Sequence, residues 1–204
     1  MSAFYRQDGN ILLGCNDGVK LFHKNNMSVT TFDTTFKNVT SVVEYRSTVY
    51  VLHREGDICK VEMCLPDMKS SYKLFEFKRD GNLGASMTVS DKYIVVDDPD
   101  HDWQLIVYDI ISKEKKFKNP ATSSKPFFLP DGDLLVLRLT LLSKYSLQNE
   151  ALKEIRPGLK NVISHCTDED GLIYAATFKK ERVLNIISPD GNESLHQFYN
   201  FLCT

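Results

Sequence analysis

The densest group of side chains with chemical potential lies in the stretch DDPDHDW, residues 97–103, which holds four aspartates and one histidine. Carboxylate oxygens at this density are the ligands that Ca²⁺ takes, but the spacing is not that of an EF-hand loop. We therefore predict a solvated acidic hairpin loop that binds no metal. Trp103, the single tryptophan, either packs on the outer strands or anchors a partner.

The cysteines and histidines, five of each, are scattered along the chain rather than clustered. The closest cysteines, Cys59 and Cys64, have no matching Cys or His pair elsewhere, so the pattern predicts no zinc site and buried, reduced thiols instead. The sequence has no glycine-rich phosphate motif and no nucleophile motif. We therefore expect a protein that is not an enzyme and that needs no cofactor.

The totals exclude several classes of partner. The chain has 204 residues, 42% of them hydrophobic, and a net charge of −2, which gives no bulk attraction to nucleic acid or to an anionic membrane. Its apolar runs are far too short to cross a bilayer. The N-terminal MSAFYRQDGN lacks the pattern of a secretory signal, so we expect a cytoplasmic protein.

Five segments repeat the order turn, short apolar strand, polar break, second strand. Their first-strand anchors, Ile11, Val49, Tyr93, Leu134 and Leu172, are spaced by 38, 44, 41 and 38 residues. Strand-only units of this period predict a β-propeller, an all-β fold of four-stranded antiparallel blades. A β-sandwich also has short strands but does not explain the repeat. We predict a single domain, 1–204, with approximate blades 2–33, 38–78, 83–118, 124–156 and 160–199.

The predicted strands of each blade, a to d, define two faces. The a–b and c–d turns form a turn face, where the Asp-Gly pairs at 8–9, 131–132 and 170–171 suit tight hairpins. The b–c and d–a connections form a loop face, whose loops vary in length and charge as recognition loops do. The residues that we predict to bind a partner on the loop face are Arg54, Asp97, Asp98, His101, Asp102, Trp103, Arg138, Lys179, Lys180 and Arg182.

The stretches DGVKLFHKNNMSVTTF and WQLIVYDIISKEKKF resemble the NHL-type propeller of tripartite-motif (TRIM) proteins, and the resemblance covers nearly the whole chain. It implies a non-catalytic module that selects a protein or RNA target, while a separate RING domain performs the ubiquitin chemistry. The Asn-His-Leu triplet that names the family is absent from every unit. Family members typically have six blades, so the five readable here either close on themselves or lack a sixth.

Three functions follow, and a protein-binding scaffold is preferred. RNA binding is the alternative, because basic residues such as Arg54 and Lys179 share the loop face; acidic residues interrupt them there. A metal-dependent hydrolase with its site in the central channel is the second alternative, and for it the inner strands offer only Glu44 and the adjacent His165 and Cys166.

Overall fold

Each sheet consists of four strands that are consecutive in the sequence, so neighbouring strands are joined by local hairpins. The structure is a computed structural model that describes residues 2–33, 35–65, 70–79, 81, 84–99, 104–118, 124–138, 141–155, 159, 161–168, 170–178, 182–188 and 193–195. Within these residues it contains twenty strands and no helix. The strands form five antiparallel sheets, β1–β4, β5–β8, β9–β12, β13–β16 and β17–β20.

The strand bounds follow the sequence repeat. The strands are β1 (Ser2–Tyr5), β2 (Ile11–Cys15), β3 (Gly18–His23), β4 (Ser28–Asp33), β5 (Val39–Tyr45), β6 (Thr48–Glu55), β7 (Ile58–Cys64), β8 (Ser71–Lys78), β9 (Met87–Val89), β10 (Tyr93–Asp98), β11 (Gln104–Asp109), β12 (Lys115–Lys118), β13 (Ser124–Phe128), β14 (Leu134–Arg138), β15 (Leu141–Tyr145), β16 (Leu152–Glu154), β17 (Val162–Thr167), β18 (Ile173–Phe178), β19 (Arg182–Ile187) and β20 (Glu193–Leu195).

The predicted fold class is confirmed: five four-stranded antiparallel blades of a β-propeller. The strand residues explain why. In β2, Leu12 is buried while Ile11 and Leu13 are half-exposed, which is the alternation that a strand with one buried side requires. The b strand of the second blade is buried almost throughout, because the first and third sheets pack against its two sides. The b strand of the third blade is buried to a similar extent.

The described residues cluster into two compact units, Met1–His101 with Ile106–Lys116, and Asp102–Leu105 with Phe117–Thr204. In the first unit, one core cluster lies between the first two sheets and includes Leu12, Val39 and Val51. A second cluster lies between the second and third sheets and includes Leu52 and Ile94. Full burial of each such side chain stabilises the fold by about 1.5–3 kcal/mol. Packing between blades is therefore the main source of stability in this unit.

The second unit has its own core. Leu135 and Leu142 of the fourth sheet pack with Val162, Ile173 and Ile187 of the fifth, and all five are almost fully buried. The unit therefore repeats the sheet-on-sheet packing of the first. In the part of the chain that the structure describes, no helix is long and apolar enough to cross a membrane.

Candidate functional site

Arg54, a predicted partner-binding residue, lies at the end of β6, where its guanidinium organises the loop face of the second blade. Nε donates to the carbonyl of Gly56 at 2.6 Å, and Nη1 donates to the carbonyl of Gly81. Nη2 donates to the carbonyl of Arg79 at 3.5 Å. These bonds tie the b–c hairpin to the connection that follows β8, so Arg54 positions the loop; contact with a partner stays a prediction.

The placement of Asp97 and Asp98 in an exposed loop is wrong. They are the last two residues of β10, and only 2% and 4% of their surface is exposed. The Asp97 carboxylate accepts hydrogen bonds from the backbone N–H of Ser86 and, at 2.9 Å, from its hydroxyl. Adjacent acids usually indicate a loop, whereas here the Asp97 carboxylate accepts the N–H of Ser86, just before the short strand β9, in place of a backbone carbonyl.

A buried ion pair accompanies these aspartates. Asp98 Oδ1 lies 3.9 Å from Nε of Arg79, whose side chain is 1% exposed. Cys59 lies beside this pair, and burial raises the pKa of its thiol against the opposing effect of Arg79. Because a buried charge must be paired, this group holds the second and third blades together, and Asp98 faces the interior.

The remaining predicted residues of the loop face are not brought together by the described structure. His101, Asp102, Trp103, Lys179 and Lys180 lie outside the described residues, so the predicted acidic loop and its tryptophan stay predictions. Two further predicted residues have only their backbones described. These are Arg138, which ends β14 opposite Leu141, and Arg182, which begins β19 opposite Phe178.

Glu44 and His165, which the sequence offers for a hydrolase site, have different environments in the structure. Glu44, in β5, accepts two hydrogen bonds from Arg6. His165, in β17, is buried against the edge of the Phe127 ring, with centroids 5.4 Å apart, and burial lowers its pKa to about 4. Within the described residues, no group of three or more His, Cys, Asp or Glu side chains could hold a metal ion.

The cysteines divide by burial. Cys59 and Cys64 are buried, as predicted, while Cys15 is half-buried and Cys166 is exposed. Burial raises the pKa of the Cys64 thiol to about 12, so this thiol stays protonated at physiological pH and behaves as a small apolar side chain. Cys203 lies outside the described residues.

The turn face is built by a repeated turn, and the predicted Asp-Gly turns are confirmed. In the first blade, Gly9 N–H donates to the carbonyl of Arg6 at 3.0 Å, and Gly9 has a φ of 84°. In the fourth blade, Gly132 N–H donates to the carbonyl of Leu129 at 2.9 Å, with a φ of 86°. Glycine takes this left-handed conformation without steric cost, so these residues are structural.

A chain of tyrosines and cations, which the sequence pattern did not predict, runs along the turn face of the first three blades. Arg6 of the first blade pairs with Glu44 of the second, next to Tyr45. The Arg46 guanidinium lies 5.7 Å from the Tyr45 ring centroid and pairs with Asp91 of the third blade at 2.8 Å. These contacts link three consecutive blades.

The chain continues in the third blade, where Nζ of Lys92 lies 4.9 Å from the centroid of the Tyr93 ring. A signal existed in the sequence, because a tyrosine stands beside a base at each of these turns: Tyr5-Arg6, Tyr45-Arg46 and Lys92-Tyr93. Cation–π contacts of this kind are worth about 0.5–1 kcal/mol at exposed sites. They fix the orientation of the tyrosine rings rather than the fold.

Exposed apolar side chains border the same face. Met27 and Ile111, in the c–d turns of the first and third blades, are 74% and 78% exposed, and Leu65 follows the c strand of the second blade. Val29 and Tyr72 stand next to these turns as the second residues of their d strands. Exposed apolar and aromatic side chains that share one face favour an interaction surface there.

The fold and its faces define the class of protein, a β-propeller, and comparison with known proteins agrees at that level. TolB from Acinetobacter baumannii has a similar structure, with a TM-score of 0.72 and 12% identity over 95% of this chain and 52% of TolB. A Bacteroides caccae protein of unknown function has a TM-score of 0.64 and 13% identity, over 97% of this chain and 80% of its own.

A third similar structure is the extracellular domain of a B. thetaiotaomicron protein, with a TM-score of 0.61 and 15% identity over 98% of this chain. The present chain covers 28% of that domain and about half of TolB. At these identities the likeness establishes the fold alone. The sequence matches no protein-family profile, and no curated protein matches it.

Proposed function

We propose that this chain is a non-catalytic scaffold that recognises a protein partner in the cytoplasm. The observation that supports it is the turn face of the first three blades, where oriented tyrosines are bordered by exposed residues such as Met27 and Ile111. Tyrosine, methionine and arginine are the residue types enriched where proteins bind one another. A rigid set of blades holds them at fixed spacing.

The resemblance to TRIM propellers extends the proposal. By that resemblance, the bound protein is a substrate that a ubiquitin ligase modifies, and the RING chemistry comes from another domain or chain. The predicted residues of the loop face, among them Lys179 and Arg182, are proposed to form a second contact region. RNA is the competing partner, but acidic and basic side chains alternate on the turn face, whereas RNA binding requires a continuous positive surface.

The test is affinity capture from cell extract with three forms of the chain: the wild type, Met27→Asp with Ile111→Asp, and Lys153→Asp as a control on the exposed d strand of the fourth blade. We expect the same proteins to be captured by the wild type and the control and lost by the turn-face variant. The complexes are also crosslinked and digested with protease, and the RNA that remains is measured. Equal amounts of RNA recovered with all three forms would contradict the proposal.

A further inference from the structure

The charged side chains on the turn face of the first three blades differ in how many ion pairs and hydrogen bonds they form within the chain. The acidic ones are engaged within the chain: Glu44 by Arg6, and Asp91 by Arg46. Asp109 accepts hydrogen bonds from the N–H groups of Ile111 at 2.9 Å and Ser112 at 3.0 Å. Carboxylates held this way stabilise turns and have little capacity left for an external cation.

Two further acids of this face, among the residues that the structure describes, follow the same rule. Asp8 accepts a hydrogen bond from Asn10 N–H at 2.9 Å and lies 3.5 Å from Nη1 of Arg6. Glu114 lies 3.3 Å from Nζ of Lys116. Backbone hydrogen bonding lowers the pKa of Asp8 and of Asp109, which agrees with carboxylates that stay ionised and occupied.

The cations of this face form fewer ion pairs and hydrogen bonds within the chain. Lys24, Lys92 and Lys113 are exposed and, within the described residues, form no ion pair. Arg46 is 73% exposed, and its pairing with Asp91 is exposed as well, so the pair contributes about 0–1 kcal/mol to stability. Both Nη atoms of Arg46 contact the Asp91 carboxylate, at 2.8 Å and 2.9 Å, and the guanidinium carbon lies 5.7 Å from the Tyr45 ring centroid. Because this exposed pair is weak, a carboxylate of a partner can replace that of Asp91. Among the described residues of this face, the charges that have no ion-pair partner are therefore those of lysines.

We infer that the turn face of the first three blades binds an acidic, apolar segment of a partner protein, with Arg46 and Lys92 receiving carboxylates and Met27 and Ile111 receiving apolar side chains. The inference rests on the proposed function and names the chemistry of the partner. A peptide needs only one or two carboxylates at the cations, whereas a nucleic acid would bring a phosphate at each step against Asp8, Asp91 and Glu114. The acids of this face therefore favour the peptide.

The expected loss of binding on truncation identifies Arg46 as the residue to test. An arginine stacked on tyrosine is preorganised, so little side-chain entropy is lost when it binds a carboxylate. Truncating such an anchor typically costs enough to weaken binding about tenfold. Lys92 is also held by an aromatic ring, but it is a point charge without the fork of a guanidinium, so its loss should weaken binding less, about threefold.

The experiment selects peptides from a displayed library of random twelve-residue sequences on the wild-type chain, with counter-selection on a Met27→Asp, Arg46→Glu variant. We expect the enriched peptides to be acidic and to carry aromatic or aliphatic residues. In fluorescence anisotropy, Arg46→Ala should raise the Kd about tenfold, and Lys153→Ala should leave it unchanged. Equal thermal unfolding midpoints for all variants show that folding is unaffected.

The outcomes separate the two proposals. Enriched peptides that are basic or uncharged, or that bind Arg46→Ala and wild type equally, overturn the inference about the turn face. If those peptides lose binding on Arg182→Glu, the loop face is the site and the scaffold function stands. No enrichment above a blank surface, together with tight binding of single-stranded RNA, overturns both.

Discussion

The guanidinium of Arg6 grips the carboxylate of Glu44 with two hydrogen bonds, Nε to Oε2 at 2.7 Å and Nη2 to Oε1 at 3.1 Å. The two residues lie in different blades, and both side chains are mostly buried, with 21% and 15% exposed. The pair raises the pKa of Arg6 chiefly through this hydrogen bonding. It joins the first sheet to the second at the start of the tyrosine–cation chain.

Glu44→Gln should lower the free energy of unfolding by about 1–3 kcal/mol, because it removes the closer and more buried of the two counter-charges of the Arg6 guanidinium. Urea unfolding measures the change, and a double-mutant cycle with Arg6→Ala isolates the pair. The control is Asp91→Asn, which breaks the exposed pair with Arg46 and should cost less than about 1 kcal/mol. Equal losses for the two variants would contradict this account.

Gly14→Ala should destabilise the interface between the first and second sheets. A Cβ at Gly14 would lie 2.5 Å from the Ser2 hydroxyl oxygen and 2.7 Å from Cγ1 of Val39. Overpacking of this kind costs about 1–3 kcal/mol. Gly84→Ala is the matched control, because a Cβ there meets nothing within 4 Å. Denaturation midpoints that fall equally in both variants would show that the close approach is not the cause.

His165 should make stability fall as the pH falls. Burial lowers its folded-state pKa from the usual 6.5 to about 4, so between these values the unfolded chain takes up a proton that the folded chain does not. The resulting loss in the free energy of unfolding is absent above pH 6.5 and reaches about 3 kcal/mol near pH 4. The measurement is the urea midpoint from pH 7 to pH 4.5.

The control for this prediction is His165→Leu, which keeps an apolar side chain against Phe127 and cannot titrate. It should lose stability less steeply than wild type over the same pH range. If the two proteins show parallel pH profiles, another group carries the acid sensitivity.

Cys64 should resist alkylation until the chain unfolds, because its thiol is buried and its pKa is raised to about 12. Iodoacetamide at pH 8, followed by peptide mass spectrometry, measures the reaction at each cysteine. Half-buried Cys15 should be modified in the native protein. Rapid labelling of Cys64 without denaturant would mean that the second blade opens readily.

The sequence predicted the fold well because the evidence for it is local and repeated. Ile11, Tyr93 and Leu134 each begin the second strand of a sheet, and Val49 lies one residue inside β6. Turn residues and apolar alternation specify such hairpins within about ten residues. Five repeats then reinforce one another, so an error in one hairpin does not change the architecture.

The candidate site was harder to predict, because its contacts join residues of different blades. Arg46 and Asp91 are 45 positions apart, and nothing in either neighbourhood indicates that they pair. Asp97 and Asp98 were misplaced for a related reason: acids usually mark loops, yet here a buried arginine and a backbone N–H satisfy them. Charge partners of this kind are visible only after the sheets are assembled.

Hydrogen exchange on the chain, with and without a selected acidic peptide, tests the central claim most directly. The account predicts slower exchange in the turn segments 5–11, 45–48, 90–93 and 109–114, which carry the tyrosine–cation chain and Ile111. Protection confined to 54–58 and 178–182 on the loop face, or exchange that the peptide leaves unchanged, would contradict it.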